Sequence, residues 1–320
     1  MNESLSGYLA DLGYAAGWRV VRAAPEPVAA GVFRAGATLA ARREGAGVRQ
    51  LRANLARVLG AQRPAGTEID PAELDAVVAA GMRSYARYWC EAFRLPAMDP
   101  LALHARVDPA VQGVAHLDQA LDAGRGVVAA LTHSGNWDVA GAWLVRALAQ
   151  RGRPATFATV AERLRPDSLY RRFVAYRESL GFEVLPADAG ARTIATLVAR
   201  LRAGGVVCLV ADRELTPGGV SVRLFGEPAR LPRGPAQLAR HTGAALLPFG
   251  GWFTPDGWGL RFQPPVQVPR ERSSVAVPAA TQALADAFAA DIAAHAEDWH
   301  MLQPIWSADR DTSVAEAAVR

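Results

Sequence analysis

The sequence predicts an α/β fold: a central mixed, largely parallel sheet covered by helices on both faces, with an N-terminal helical region. Three observations predict it. From about residue 117 onward, short apolar runs alternate with longer amphipathic segments. Those runs, such as Val127-Val128-Ala129-Ala130-Leu131 and Val206-Val207-Cys208-Leu209-Val210, are apolar at every position, as strands are when both faces are covered. The stretch before residue 100 carries helical periodicity and no comparable run.

Taken in order, residues 4–40 read as one or two amphipathic helices. Leu5, Leu9, Leu12, Trp18 and Val21 are the apolar positions, Tyr8 and Tyr14 lie among them, and Arg19, Arg22 and Arg34 supply charge. Pro25 and Pro27 mark a break. Ala41 to Arg63 is arginine-rich and helical, and Pro64 ends it. Pro71 opens a helix over 72–93 whose stripe of Met82, Tyr85, Tyr88 and Trp89 reads as core. Leu117 to Ala123 is a short helix leading into a strand at 126–131, followed by a helix at 137–150. Strands are then expected at 155–160, 182–185, 206–211, 244–247 and 258–262, with helices at 167–180, 191–202, 235–242 and 275–298. One domain over 1–310 is the simplest division, with a helical, membrane-facing part at 1–100, an α/β catalytic core at 115–305 and a tail at 311–320.

Composition narrows the function. Half the residues are apolar (51%), enough for a sizeable core. All 35 basic side chains are arginine, and the formal charge is only +4. That suits anionic surfaces or ligands and falls short of a dedicated nucleic-acid binder, so no nucleic acid is expected. Cys90 and Cys208 have no CxxC neighbour and read as buried small hydrophobes in a reducing compartment. The remaining histidines lack ligand spacing, so no metal is expected, and neither a Walker loop nor a GxSxG elbow is present. No secretory signal and no bilayer-spanning run is seen, which leaves a soluble or peripheral protein.

Chemistry is densest at Leu131-Thr132-His133-Ser134-Gly135-Asn136-Trp137-Asp138. A histidine sits where a buried strand ends, and an aspartate follows in the first turn of a helix. An imidazole needs a carboxylate to fix its tautomer before it can take a proton from an alcohol, so His133 with Asp138 suits a general base. The plainer alternative is that Asn136 caps the helix and Asp138 complements its dipole. A second strand end carries Asp212-Arg213-Glu214, at the sheet edge where open α/β sheets keep ligands. Arg177 lies just before Gly181, in the last turn of a helix. Arg230, Arg233 and the helix start at Pro235 lie close in sequence and form a candidate anion site.

With these residues in view, the chain resembles the bacterial lysophospholipid and lipid A lauroyl-type acyltransferases. The family signature, a histidine, four residues and an acid, matches His133 to Asp138. Further matching stretches are residues 11–18, 84–89, Tyr176-Arg177-Glu178-Ser179-Leu180-Gly181, Ala211-Asp212-Arg213-Glu214 and Phe225-Gly226-Glu227. These flanks are similar to the branch that acylates phosphatidylinositol mannosides, and the likeness spans nearly the whole chain.

The resemblance implies acyl transfer, of palmitoyl by expectation, from acyl-CoA as co-substrate to a mannose hydroxyl. It implies no cofactor, and work at the cytoplasmic face of the membrane by a peripheral protein on an anionic lipid surface. It casts His133 as base and Asp138 as its partner, with a second acid to which Asp212 and Glu214 both fit. Arg177 matches a family arginine, and Gly135, Asn136, Trp137, Arg213 and Arg233 are candidate substrate contacts. Oxyanion donors would be the Gly135 amide or Arg177. Other readings are a lipid A-type or glycerolipid acyltransferase with another acceptor, an acyl carrier protein donor, or a non-catalytic lipid-binding module.

Overall fold

The structure, a computed structural model, describes residues 13, 16–163, 167–214, 218–269 and 271–309. The expectations for Leu5, Tyr8, Leu9, Leu12, Tyr14 and the 311–320 tail lie outside them. A helical segment over 16–23 precedes three long helices: α1 (Glu26–Arg43), α2 (Ala46–Ala61) and α3 (Pro71–Arg94). The chain then runs through α4 (Pro100–Val107), β1 (Val111–Gln112), α5 (Val114–Asp122), β2 (Val127–Leu131) and α6 (Trp137–Gln150). Next come β3 (Phe157–Ala161), α7 (Asp167–Ser179), β4 (Phe182–Pro186), α8 (Ala191–Arg202) and β5 (Val206–Val210). The hairpin β6 (Val220–Leu224) and β7 (Glu227–Leu231) precedes α9 (Gly234–Thr242), β8 (Ala245–Thr254), β9 (Gly257–Phe262) and α10 (Ser273–Ala294).

Seven strands form one sheet in the order β1-β9-β8-β2-β5-β3-β4. Five neighbours, β8 to β4, run parallel, and the β8–β9 hairpin reverses direction at one side. Successive residues of a strand point to opposite faces, and both faces are covered. Val128 and Ala130 of β2, with Val207 and Leu246, join a core under α8, α9 and α10. Val127, Ala129 and Leu131, with Cys208 and Leu247, join the core under α4, α5 and α6. The fully apolar strands of the sequence have this cause.

The N-terminal helices depart from the expected membrane-facing arrangement in one respect. Trp18 donates its indole N–H to the Phe93 carbonyl at 3.0 Å and packs on Phe93, Phe173 and Tyr176. Its ring anchors the 16–23 segment to the body. The exposed apolar residues of α1 are instead Val28, Val32 and Leu39, which helical periodicity places on one face. Tyr88 and Trp89 of α3, read as core, border a groove, although Tyr88 is itself buried. The β6–β7 hairpin turns at Phe225 (φ 51°) and Gly226 (φ 80°), the left-handed pair of a two-residue turn.

Candidate active site

Adjacent parallel strands bring the decisive residues together. β2 and β5 pair in register, with Leu131 opposite Val210, and the Ala211 N–H continues the ladder to the Leu131 carbonyl at 2.8 Å. Two residues beyond that last pair lie His133 and Asp212. The Asp212 carboxylate accepts from His133 Nδ1 at 2.6 Å through Oδ1 and from the His133 amide at 2.9 Å through Oδ2. The Trp299 indole N–H also donates to Oδ2, at 2.9 Å. Asp212 is buried, which alone would raise its pKa. The charge of His133 and these hydrogen bonds more than offset that, holding the carboxyl below its ordinary value. An ionised Asp212 keeps the proton on Nδ1 and leaves Nε2 unprotonated, the form a base requires.

The expected partnership of His133 with Asp138 is corrected here. Asp138 lies in the first turn of α6 and is fully buried. Its carboxylate takes the Arg177 guanidinium at 2.8 Å (Nε) and the Tyr88 hydroxyl at 3.1 Å. Starting the helix at Trp137 turns position 138 toward α3 and α7, while position 133 belongs to the sheet edge. Burial works against the Arg177 charge, yet the nearby Asp138 carboxylate raises its pKa above the ordinary arginine value. Burial, then Asp138, pushes the Tyr88 hydroxyl well up. Between Asp212 and Glu214, the acid bonded to the ring is Asp212. Glu214 lines the same groove.

The loop between strand and helix has its own physical reasons. Gly135 adopts φ 59°, and a Cβ there would lie 2.7 Å from the Gly251 carbonyl carbon, so only glycine fits. Its amide donates to the Asp298 carbonyl at 2.9 Å, which removes it as an oxyanion donor and corrects that expectation. Asn136 is the helix cap: its side chain accepts from the Val139 amide at 3.1 Å and donates to Glu91 at 2.8 Å. It is therefore structural. Trp137 stacks on Tyr88 with centroids 3.9 Å apart and meets His133 edge-on at 5.7 Å.

His133, Trp137, Arg177, Arg213 and Glu214 all border one groove of about 910 Å³ along the carboxyl ends of the strands. Its wall continues through Tyr170 and Phe173 to the start of α9 at Gly234 and Pro235. From Trp137 and Arg177 a narrow apolar channel of about 70 Å³ enters the layer between sheet and α6, past Ala140, Gly141, Leu144 and Phe249. Arg177 lines both spaces. Arg213 donates to Gln303 at 2.6 Å. Arg233 begins α9 but is not among the groove residues, and Arg230 donates to the Gly219 carbonyl at 2.7 Å. The supposed basic cluster thus does not converge on the site.

Sequence reasoning missed the segment behind the histidine. The His300 amide donates to the His133 carbonyl at 2.7 Å, and Trp299 bridges Ser134. Ser84 on α3 joins this region, donating to Asp298 at 2.6 Å and lying 2.8 Å from His300 Nε2. Burial raises Asp298 to about 6 despite hydrogen bonds from Ser84 and the Phe253 amide. Burial, then the charge of His133, lowers His300 to about 3. The only sequence signal was a Trp-His pair at the end of the last helical pattern. Among the described residues no group of three or more His, Cys, Asp or Glu is arranged to hold a metal ion.

Residues 4–308 match the family described as bacterial lipid A biosynthesis acyltransferase. The chain belongs to this family. It is an acyltransferase. It is similar to the phosphatidylinositol mannoside acyltransferase of Mycolicibacterium smegmatis, 56% identical over 307 residues that cover 95% of this chain and 94% of the relative. The protein of that name from Mycobacterium tuberculosis (strain CDC 1551 / Oshkosh) is 52% identical over 313 residues, 97% of this chain and 93% of the relative. The H37Rv protein is 51% identical over the same shares. No helix of this acyltransferase, among the described residues, is long and apolar enough to cross a membrane.

Proposed function

We propose that this acyltransferase moves a fatty acyl group from acyl-CoA to a mannose hydroxyl of a phosphatidylinositol mannoside, with His133 as general base and Asp212 as its orienting acid. The observation that carries the mechanism is the 2.6 Å contact between His133 Nδ1 and Asp212, at the lip of the groove. His133 Nε2 takes the proton of the attacking hydroxyl as its oxygen bonds to the thioester carbonyl carbon. The carbon–sulfur bond then breaks, and coenzyme A leaves as thiolate, which takes the proton back from the imidazolium. Arg177, fixed by Asp138 and bordering both groove and channel, is the donor in reach of the developing oxyanion. The channel beside α6, walled by Ala140, Leu144, Phe157, Phe182 and Phe249, takes the end of the acyl chain, and the apolar part of the groove takes the rest.

The acceptor assignment rests on the names of the relatives. The exposed Val28, Val32 and Leu39 on α1, flanked by Arg42 and Arg43 in its last turn, support docking on an anionic membrane surface, which we take to be the cytoplasmic face. The test is transfer of label from radiolabelled palmitoyl-CoA, and from palmitoyl acyl carrier protein, to a panel of acceptors. Labelling of a phosphatidylinositol mannoside, but not of lysophosphatidate or a lipid A precursor, supports the reading. Transfer only to lysophosphatidate overturns the acceptor, and a His133→Ala protein that transfers at the normal rate overturns the base.

A further inference from the structure

The strap formed by Asp298, Trp299 and His300 holds the His133 loop along its length. The Asp298 carbonyl takes the Gly135 amide at 2.9 Å, and the His300 amide gives to the His133 carbonyl at 2.7 Å. Between them, Trp299 bridges Ser134 and turns its indole N–H onto Asp212 at 2.9 Å. The indole is fully buried and rests edge-on against Trp306, centroids 6.1 Å apart.

From this geometry we infer that Trp299 is a positioning residue for the proposed reaction: its indole N–H selects the orientation of the Asp212 carboxylate that presents Oδ1 to His133. The inference rests on the reading of His133 and Asp212 as base and orienting acid. Asp212 has two oxygens and three donors. Oδ1 serves the imidazole alone, and Oδ2 is shared by the His133 amide and the indole. A carboxylate this buried has no water to replace a lost donor, so removing the indole N–H leaves one anchor on Oδ2. An indole N–H only donates, so it favours the ionised carboxylate and opposes its protonation. The titratable group facing Asp212 is His133, and His300 on the same strap faces His133.

The experiment compares Trp299→Phe, Asp212→Asn and the double variant in the full chain, using label transfer from palmitoyl-CoA across pH, with thermal unfolding as control. Trp299→Phe is expected to lower kcat three- to tenfold and to move the acid limb of kcat/KM up by about 0.5–1 pH unit, because the carboxylate loses a donor. In the Asp212→Asn background it is expected to cost nothing further. A Trp299→Phe loss that adds fully to that of Asp212→Asn, with an unmoved acid limb, overturns the inference and leaves a packing role. Wild-type activity in Asp212→Asn overturns the underlying reading instead, whatever Trp299→Phe does. If Trp299→Phe does not fold, 3-benzothienylalanine at 299 replaces it: this side chain keeps the bicyclic shape and lacks the N–H.

Discussion

Asparagine substitution at the two acids separates two accounts of this site. Asp138 is fully buried and faces a guanidinium at 2.8 Å, with Tyr88 as its second donor. Asp138→Asn leaves the buried Arg177 charge uncompensated. Removing one partner of a buried pair costs about 3–5 kcal/mol, and the retained amide oxygen argues for the lower end. At about 2 °C per kcal/mol for a chain of this size, that is a fall in Tm of about 6 °C. The rate should fall about tenfold, through a less firmly held Arg177. Asp212→Asn acts on the imidazole itself. An amide in that place offers N–H to Nδ1, stabilises the wrong tautomer and protonates Nε2, for a loss of about 10³–10⁴ in kcat. Scanning calorimetry and label transfer at saturating acyl-CoA read both quantities. The reasoning is refuted if Asp138→Asn loses three orders of magnitude at unchanged Tm while Asp212→Asn stays near wild type.

Four further outcomes are expected. His300 is neutral in the fold, lowered to about 3, whereas the unfolded chain carries an ordinary histidine near 6.5. The unfolded state therefore binds the proton first, and stability present above about pH 6.5 is lost as pH falls toward 3, by up to ~1.4 kcal/mol per unit. His300→Gln should flatten this slope in urea unfolding at pH 7 and pH 5, and parallel slopes would rule out His300 as its source. Gly135→Ala should cost about 2–3 kcal/mol and displace His133, because a left-handed residue there meets backbone; unchanged urea midpoint and rate would contradict the loop geometry. Leu144 lies two helical turns below Trp137, about 10 Å along α6 at 1.5 Å per residue. Leu144→Trp should therefore shift preference from palmitoyl-CoA to shorter thioesters in competition assays, and an unaltered chain-length profile would move the acyl chain elsewhere. Glutamate at Val28, Val32 and Leu39 should abolish co-sedimentation with vesicles containing phosphatidylinositol but leave transfer to detergent-dispersed acceptor intact; undiminished sedimentation would exclude this face of α1.

What the sequence reveals and what it hides follow from how far each interaction reaches along the chain. The strands were legible because covering both faces makes every position apolar, as in β2 and β5, and helix starts were legible because the Asn136 cap and the first-turn Pro71 are local signals. The β6–β7 hairpin was readable in principle: Val220, Val222 and Leu224 alternate toward Phe225-Gly226, and Ala229 and Leu231 alternate away. His133 itself was legible as a histidine at a strand end. Asp212 was in view only as one of two choices for a second acid, and its direct pairing with the ring was hidden, because 79 residues separate it from His133 and only sheet order makes the two strands neighbours.

The wrong choice of Asp138 has a physical origin that bears on the whole site. Five positions along a strand would place Asp138 far from His133, and along a single helix they would put it just past one turn. The segment is neither: a left-handed glycine and a helix cap intervene, so spacing carries no geometric content across it. Parallel register does carry such content. Once Leu131 is opposite Val210, equal offsets place His133 beside Asp212, with nothing else required of the loops. The paired acids then divide the labour by burial partner. Asp212 faces an imidazole open to the groove and tunes it, whereas Asp138 faces a buried guanidinium and fixes the start of α6, the channel wall and Arg177 together. The five-residue step from His133 to Asp138 thus joins the sheet edge to the start of α6, and the carboxylate that meets the imidazole comes from the neighbouring strand.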